Sequence, residues 1–394
     1  MKLALFYLFS VAAVTMAVLV PRFLKKGNDA FTTRMFYEIV KENPQQSVVL
    51  SAYSVLIPLA QLALASTYTT HDELLKAIGM PNDDVIKDEF KQAKRNFNPM
   101  VGVAFHTASK IYITYKYQIN ESFSLTARDV FNFDVENVDF SQGQKTASEI
   151  NAWVEHETNK KIKDLVDPDS FDASNTRAVL VNSAYFSGPW VFPFNRNDTY
   201  DEVFHITKEK SVRIPMMHQT SYFLYAEVPE LDAKILQLLY KGEDSSMILV
   251  LPNEIDGITQ LEEKLRDRLV LDRAICTMYL TKVEVTIPKF KIETTTDLKH
   301  VLSKMNVTKL FDKEEASICQ LTREYGDLFI NVAIQKTFIE IFEEGSNGVA
   351  DNDFDTKLPA YGSSLSSNIF FADRPFYFEI RLSDLTIFNG VKAE

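Results

Sequence analysis

Apolar residues recur at Phe31, Met35, Phe36, Ile39 and Val40 within AFTTRMFYEIVKEN, the three-and-four spacing of a helix with one buried face. SVVLSAYSVLIPLAQLALAS, which follows, reads as a short buried strand running into an apolar helix. KIYITYKYQI (110–119) alternates like a strand, and EINAWVEHETNKK (149–161) sets Ile150, Trp153, Val154 and Glu157 on an amphipathic helix. TRAVLVNSAYFSG is almost continuously apolar, which predicts a central strand covered on both faces. SMILVLPN, KVEVTIPKFKIE, INVAIQKTFIEIF and PFYFEIRLSDLTIFNGV predict further strands. Helices dominate early and strands late, the arrangement of a mixed α+β fold with large sheets rather than a doubly wound one.

One interruption stands out. After the strand-like FIEIF (338–342) the chain reads EEGSNGVADNDFDTKLPAYGSSLSSN, small and acidic and then Ser-rich, before Ile369-Phe370-Phe371 restores an apolar run. Loops of this length inside a compact domain are usually functional or disordered. No linker, repeat or composition break divides residues 28–394, so a single domain is expected there. Ahead of it, one Lys and an apolar run from Leu3 to Val20 have the layout of a secretory signal, with 1–17 as the cleaved segment. A signal anchor is the competing reading, because Arg22, Lys25 and Lys26 follow.

A net charge of −12 argues against nucleic acid or an anionic membrane as partner. The sequons at Asn120, Asn197 and Asn306 suit a secreted glycoprotein. Cys276 and Cys319 are too few for a disulfide framework, and free thiols are expected. There is no GxSxG, no phosphate-binding glycine loop, and His156-Glu157 is followed by Lys160 where a zinc helix needs a second His. No metal, cofactor or catalytic residue is therefore predicted. Lys160, Lys161 and Lys163 form too small a cluster to suggest a heparin-like polyanion. A binding or inhibitory protein is the expectation, not an enzyme.

Several collinear stretches resemble the serpin family. They are SVVLSAYSV (47–55), INAWVEHETNKKIKDLV (150–166), LVNSAYFSGPWVFPFN (180–195), VRIPMM (212–217), ILVLPN (248–253), VTIPKFKIE (285–293), FIEIFEEG (338–345) and DRPFYFEI (373–380). The resemblance implies a serpin fold with three β-sheets, about nine helices and an exposed reactive-centre loop, here about 345–368. It implies a monomer that inhibits a serine endopeptidase as a suicide substrate: the cleaved loop inserts into the main sheet and the protease stays covalently trapped. Inhibition of papain-like or cathepsin L-like cysteine proteases, and a non-inhibitory role, are the alternatives. By the same resemblance Glu343, Glu344, Gly345, Ser346, Asn347, Gly348, Val349 and Ala350 form the hinge. Ser51, Ser54, Asn182 and Gln335 form a cluster beneath the opening sheet, and Trp190 marks the breach at its top. The bait bond falls in a window of Lys357, Leu358, Pro359, Ala360, Tyr361 and Gly362.

An inserting strand must send alternate side chains into the core. Counted from Ser346, one face carries Ser346, Gly348, Ala350, Asn352 and Phe354; the other carries Asn347, Val349, Asp351, Asp353 and Asp355. All three aspartates share a face, so one register avoids burying them. Four features depart from the family pattern: the hinge lacks an alanine run, Ala52 stands where the early motif has a Pro, Lys160 stands where a Gly is usual in the turn after the helix, and Gln335 replaces a His.

Overall fold

A computed structural model describes residues 20–97, 102–132, 134–241, 245–323, 327–346 and 367–394. The first helix, α1 (Arg22–Glu42), buries Phe31, Met35, Phe36, Ile39 and Val40, the face the periodicity marks. Strand β1 (Val48–Leu50) leads into α2 (Ala52–Ala65), which Ser51 caps by accepting a hydrogen bond from the Ser54 amide. Nearly every residue of α2 is buried, so this helix runs through the interior rather than along the surface. Then come α3 (Tyr68–Ile78), α4 (Asp83–Phe97), α5 (Glu121–Phe131) and α6 (Gly143–Glu157), and later α7 (Ile258–Lys264), α8 (Arg268–Cys276) and α9 (Leu298–Lys304).

Six strands make the main sheet, in the order β10-β11-β12-β4-β2-β3. They are β2 (Ala104–Thr114), β3 (Asp134–Val138), β4 (Ala178–Pro189), β10 (Phe290–Asp297), β11 (Ile330–Phe342) and the two-residue β12 (Gly345–Ser346). The strand expected at 110–119 thus lies earlier, at 104–114. It stops where Tyr117 donates its amide to the Thr114 carbonyl and leaves Tyr115 exposed. The expected central strand is β4, buried on both faces: Leu180 and Ala184 face the main core, while Val179 and Val181 face α6.

The other strands form a nine-stranded sheet: β1, β5 (Thr199–His205), β6 (Ser211–Val228), β7 (Ala233–Leu239), β8 (Ser245–Pro252), β9 (Tyr279–Pro288), β13 (Asn368–Phe371), β14 (Phe376–Leu382) and β15 (Leu385–Lys392). The resemblance implied two sheets here. They are joined because β6 is 18 residues long, pairing with β5 and β9 over its first part and with β7 over its last. After α6 the chain turns through Asn159 and Lys160, both at positive φ (49° and 63°). Lys160 therefore holds a left-handed conformation that glycine adopts at less cost.

Burial also sets a pH profile. Tyr53, Tyr240 and Tyr377 have pKa values pushed above the ordinary 10 by burial, so the folded state holds their protons where the unfolded chain gives them up. That stability is complete below pH 10 and is lost above it. Lys392, pushed down to about 8 by burial, acts the other way: its charged form is penalised in the fold, and the penalty lifts as pH rises past 8. Melting temperature is expected to climb from pH 8 toward 10 and fall steeply beyond. In Lys392→Met the climb should vanish and the fall remain.

Candidate functional site

At the top of the main sheet, β11 and β4 are separated by only two residues, Gly345 and Ser346, of the expected hinge. Gly345 and Ser346 run antiparallel between them, Gly345 opposite Phe342 and Pro189, Ser346 opposite Ile341 and Gly188. Below that point the two long strands pair directly and in parallel, from Phe338 beside Tyr185 down to Ile330 beside Ala178. The slot is therefore occupied at its mouth and closed beneath.

Gly345 sits at φ +144°, and a Cβ there would lie 2.1 Å from the Gly188 oxygen and 2.6 Å from Pro189 Cα. Only glycine fits. Ser346 is fully buried and its Oγ lies 2.7 Å from the Tyr240 hydroxyl, so this side chain points into the main core. Tyr240 is stacked on Trp190 at 4.3 Å. Trp190 in turn donates its indole N–H to the Phe342 carbonyl (3.1 Å) and its amide to Glu344 (2.8 Å). The residue placed at the breach is thus bonded to both sides of the hinge turn.

The two hinge acids are held by cations that the sequence did not single out. Glu343, buried, is 3.0 Å from Lys289 Nζ, and the half-buried Glu344 is 2.5 Å from Arg196. Burial pushes the Glu343 pKa up, but a backbone amide, Lys289 and Thr199 together outweigh it and hold the carboxyl below its usual range. This anchoring is full at neutral pH and weakens as pH falls through the folded value. Lys289 lies in the VTIPKFKIE stretch, a signal that it belonged to the same region; Tyr240 and Arg196 carried none.

Beneath the closed part of the sheet the four predicted residues meet, all fully buried. Gln335 Nε2 donates toward Asn182 Oδ1 (2.7 Å), the Ser51 carbonyl (2.9 Å) and Ser54 Oγ (3.1 Å). Ser54 Oγ also lies 2.8 Å from Asn182 Oδ1 and 3.0 Å from the Ser51 carbonyl, and Asn182 donates to the Ser54 carbonyl (2.9 Å) and to Ser109. With acceptors on that side, the amide nitrogen of Gln335 must face them. Its Oε1 is buried without a partner among the described residues. An orphan acceptor of this kind costs roughly 1–3 kcal/mol.

The three sequons lie apart from this site. Asn197 and Asn306 are exposed; Asn120 is half-buried and caps α5 with its side chain. Cys276 is exposed and Cys319 half-buried, and they are separate thiols. Hinge residues Asn347, Gly348, Val349 and Ala350 and the whole bait window, Lys357 to Gly362, lie outside the described residues, as does the proposed leader.

The family model for the serpins, described as serine protease inhibitors, matches residues 26–391. The chain is 47% identical over 393 residues to alaserpin of Manduca sexta, covering 98% of each. It is 48% identical over 370 residues to antichymotrypsin-2 of Bombyx mori, covering 93% of this chain and 97% of that one. Among solved structures, a serpin of the insect Tenebrio molitor described as highly specific superposes with a TM-score of 0.84 at 32% identity, over 94% of this chain and 98% of the other.

Proposed function

This chain belongs to the serpin family, and on that premise we propose that it is secreted and inhibits a serine endopeptidase by offering its loop as bait, inserting the cleaved loop into the main sheet and keeping the protease as an acyl-enzyme. The observation that carries this reading is the seating of β12. Gly345 and Ser346 already lie between β11 and β4, with Ser346 pointing inward, which supports further insertion in the same register. The apolar run at 3–20 supports secretion, and among the described residues no helix is long and apolar enough to cross a membrane.

Extending the β12 pairings downward gives each loop residue an address. Gly348 would lie between Phe186 and Ile339, Ala350 between Ala184 and Thr337, and Asn352 between Asn182 and Gln335. Asn352, an odd residue for a strand, would bring an amide N–H to the cluster that contains the unpartnered Gln335 Oε1. Val349 would face Tyr185 and Phe338, and Asp351 would come beside Lys336.

The outward face is less hospitable than alternation alone suggests. Asp353 and Asp355 would sit beside Val181 and Val179, which α6 and the segment after it cover, and beside Ile334 and Val332, which are half exposed. Burying carboxylates there is costly, and this favours the second reading: a serpin that is cleaved without trapping, or that has no inhibitory role.

The loop pattern therefore predicts opposite shifts. Asp353→Ser is expected to raise the fraction of protease trapped rather than released, and Asn352→Asp to lower it, each by several-fold in the inhibitor-to-protease ratio needed for full inhibition.

The deciding experiment incubates the mature chain with trypsin-like, chymotrypsin-like and cathepsin L-like proteases. Denaturing gels and melting curves are then recorded before and after loop cleavage. An SDS-stable complex with a serine protease, and a rise in melting temperature on cleavage, are expected. Selective inhibition of the cathepsin alone replaces the target class. Cleavage with neither complex nor rise overturns inhibition.

A further inference from the structure

Helix α9 stops in a hydrogen-bonded turn: the Val307 amide donates to the Leu302 carbonyl (2.9 Å) and the Asn306 amide to Ser303 (3.0 Å). This turn puts its left-handed residue at Asn306 (φ +63°), a place that glycine fills at less cost. The asparagine brings no compensating bond, because its side chain is exposed and has no partner among the described residues. Thr308 stands at the N-cap of the short 309–311 turn, yet its hydroxyl does not cap it. Asn306-Val307-Thr308 is a sequon, so the two side chains without a structural task are the two that N-glycosylation requires. The backbone that carries them is held firmly. Thr308 and Lys309 donate their amides to Glu73 of α3 (2.7 and 2.9 Å), and Arg34 of α1 donates to the Met305 carbonyl. Beside this turn lies a cavity of about 370 Å³, lined by Asn306, Met305, Arg34, Asp72, Lys76 and Ala77. Lys76 has no partner among the described residues, and the Arg34 guanidinium has further N–H groups to give.

We propose that Asn306 carries an N-linked glycan whose first N-acetylglucosamine is seated in this cavity and fastens the end of α9 to α1 and α3. The site rests on the reading that the chain is secreted, and on nothing in the loop. The transfer joins Asn306 Nδ2 to the anomeric carbon of a lipid-diphosphate-linked oligosaccharide. The C–O bond to the diphosphate breaks, the diphosphate leaves with that electron pair, and one amide proton passes to a base of the transferring enzyme. Because Asn306 lines the cavity, the ring bonded to it is delivered there. The space suits one sugar ring with its acetamide: benzene occupies a cavity of about 150 Å³, and drug-sized ligands need about 300 Å³ or more. The remaining sugars stay in solvent. Hydroxyls of the seated ring donate to Asp72, its acetamide and hydroxyl oxygens accept from Arg34 and Lys76, and its C–H face lies on Ala77 and Met305.

The test expresses the full chain in insect cells, maps its glycopeptides by mass spectrometry and follows removal of the sugars from the folded protein. Asn306 is expected to be occupied. The amidase that cleaves the bond between asparagine and sugar should release this glycan far more slowly from the native chain than from the isolated glycopeptide. Arg34→Ala and Lys76→Ala should each speed native release by about ten-fold, the size of one charge-assisted hydrogen bond. An endoglycosidase that cuts between the first and second sugars should act on parent and variants alike, because only the first sugar is seated. Both substituted side chains are exposed, and Lys76→Ala carries the test if Arg34→Ala does not fold. A secreted chain that is bare at Asn306 overturns the site and leaves secretion standing. Native release that neither variant alters overturns the seating. A chain retained in the cell with all three sequons bare overturns secretion and the glycan together.

Discussion

Arg268→Ala is expected to cost the fold about 3–5 kcal/mol, the range for breaking a buried ion pair from one side. Arg268, on α8, binds Glu379 of β14 through both terminal nitrogens, at 2.7 and 3.2 Å. Glu379 has no exposed surface, and Tyr377 (3.0 Å) and Thr386 (3.3 Å) also donate to it. Burial pushes its pKa up, but Arg268 first and then Arg381 outweigh this and hold the carboxyl below its ordinary value. Without Arg268 the desolvation remains and most of the compensation is gone, so the pKa should rise. The variant should then lose least at acid pH, where the carboxyl is neutral, and most at pH 7 and above. Urea unfolding at pH 5 and pH 7.5 tests both points. Arg268→Met with Glu379→Leu should recover much of the loss; a single variant as stable as the parent at both pH values would falsify the account.

Gly345→Ala should leave the fold intact and disable the trap. Its Cβ would meet backbone atoms on β4, which cannot swing aside as a side chain can, and φ +144° is strained for any other residue. The relief available is for Gly345 and Ser346 to leave the slot, which breaks the Ser346–Tyr240 bond and lets the gap close to its top. Insertion then starts from an empty mouth. A barrier raised by about 1–3 kcal/mol slows it by roughly five-fold to more than a hundred-fold, enough for hydrolysis of the acyl-enzyme to overtake it. Denaturing gels should show cleaved chain in place of complex, with the rate of cleavage itself little changed. Undiminished complex would mean that the seated hinge is dispensable.

Much of the framework was legible because burial writes itself into periodicity. The faces of α1 and α6 and the continuous apolar run of β4 followed from spacing alone. The phasing of the loop aspartates also rests on spacing alone, at positions outside the described residues, and its meaning changes because Val179 and Val181 lie beneath α6. What stayed hidden depends on residues distant in sequence. Nothing local joins Arg268 to Glu379, 111 positions away, or Ser346 to Tyr240, 106 positions away. The cluster around Gln335 came from resemblance rather than pattern, and its orphan oxygen could be found only by counting donors against acceptors. Boundaries slipped where strands end at turns, as at Thr114.

The places where the two ends of the loop are fastened have a mechanical consequence. Ser346 is pinned between β11 and β4 in one sheet, while Asn368 begins β13, which runs beside β9 in the other. Every residue fed into the slot is withdrawn from the length that must still span those two moorings, at roughly 3.3 Å of reach per residue. If the loop inserts as proposed, continuity of the chain would act as a catch: descent would be self-limiting until one peptide bond is cut, and then only the upstream arm would be free to move. On the proposed mechanism, a protease that cut the bait would release this catch itself, and neither a sensor nor an allosteric signal would be required to time the event.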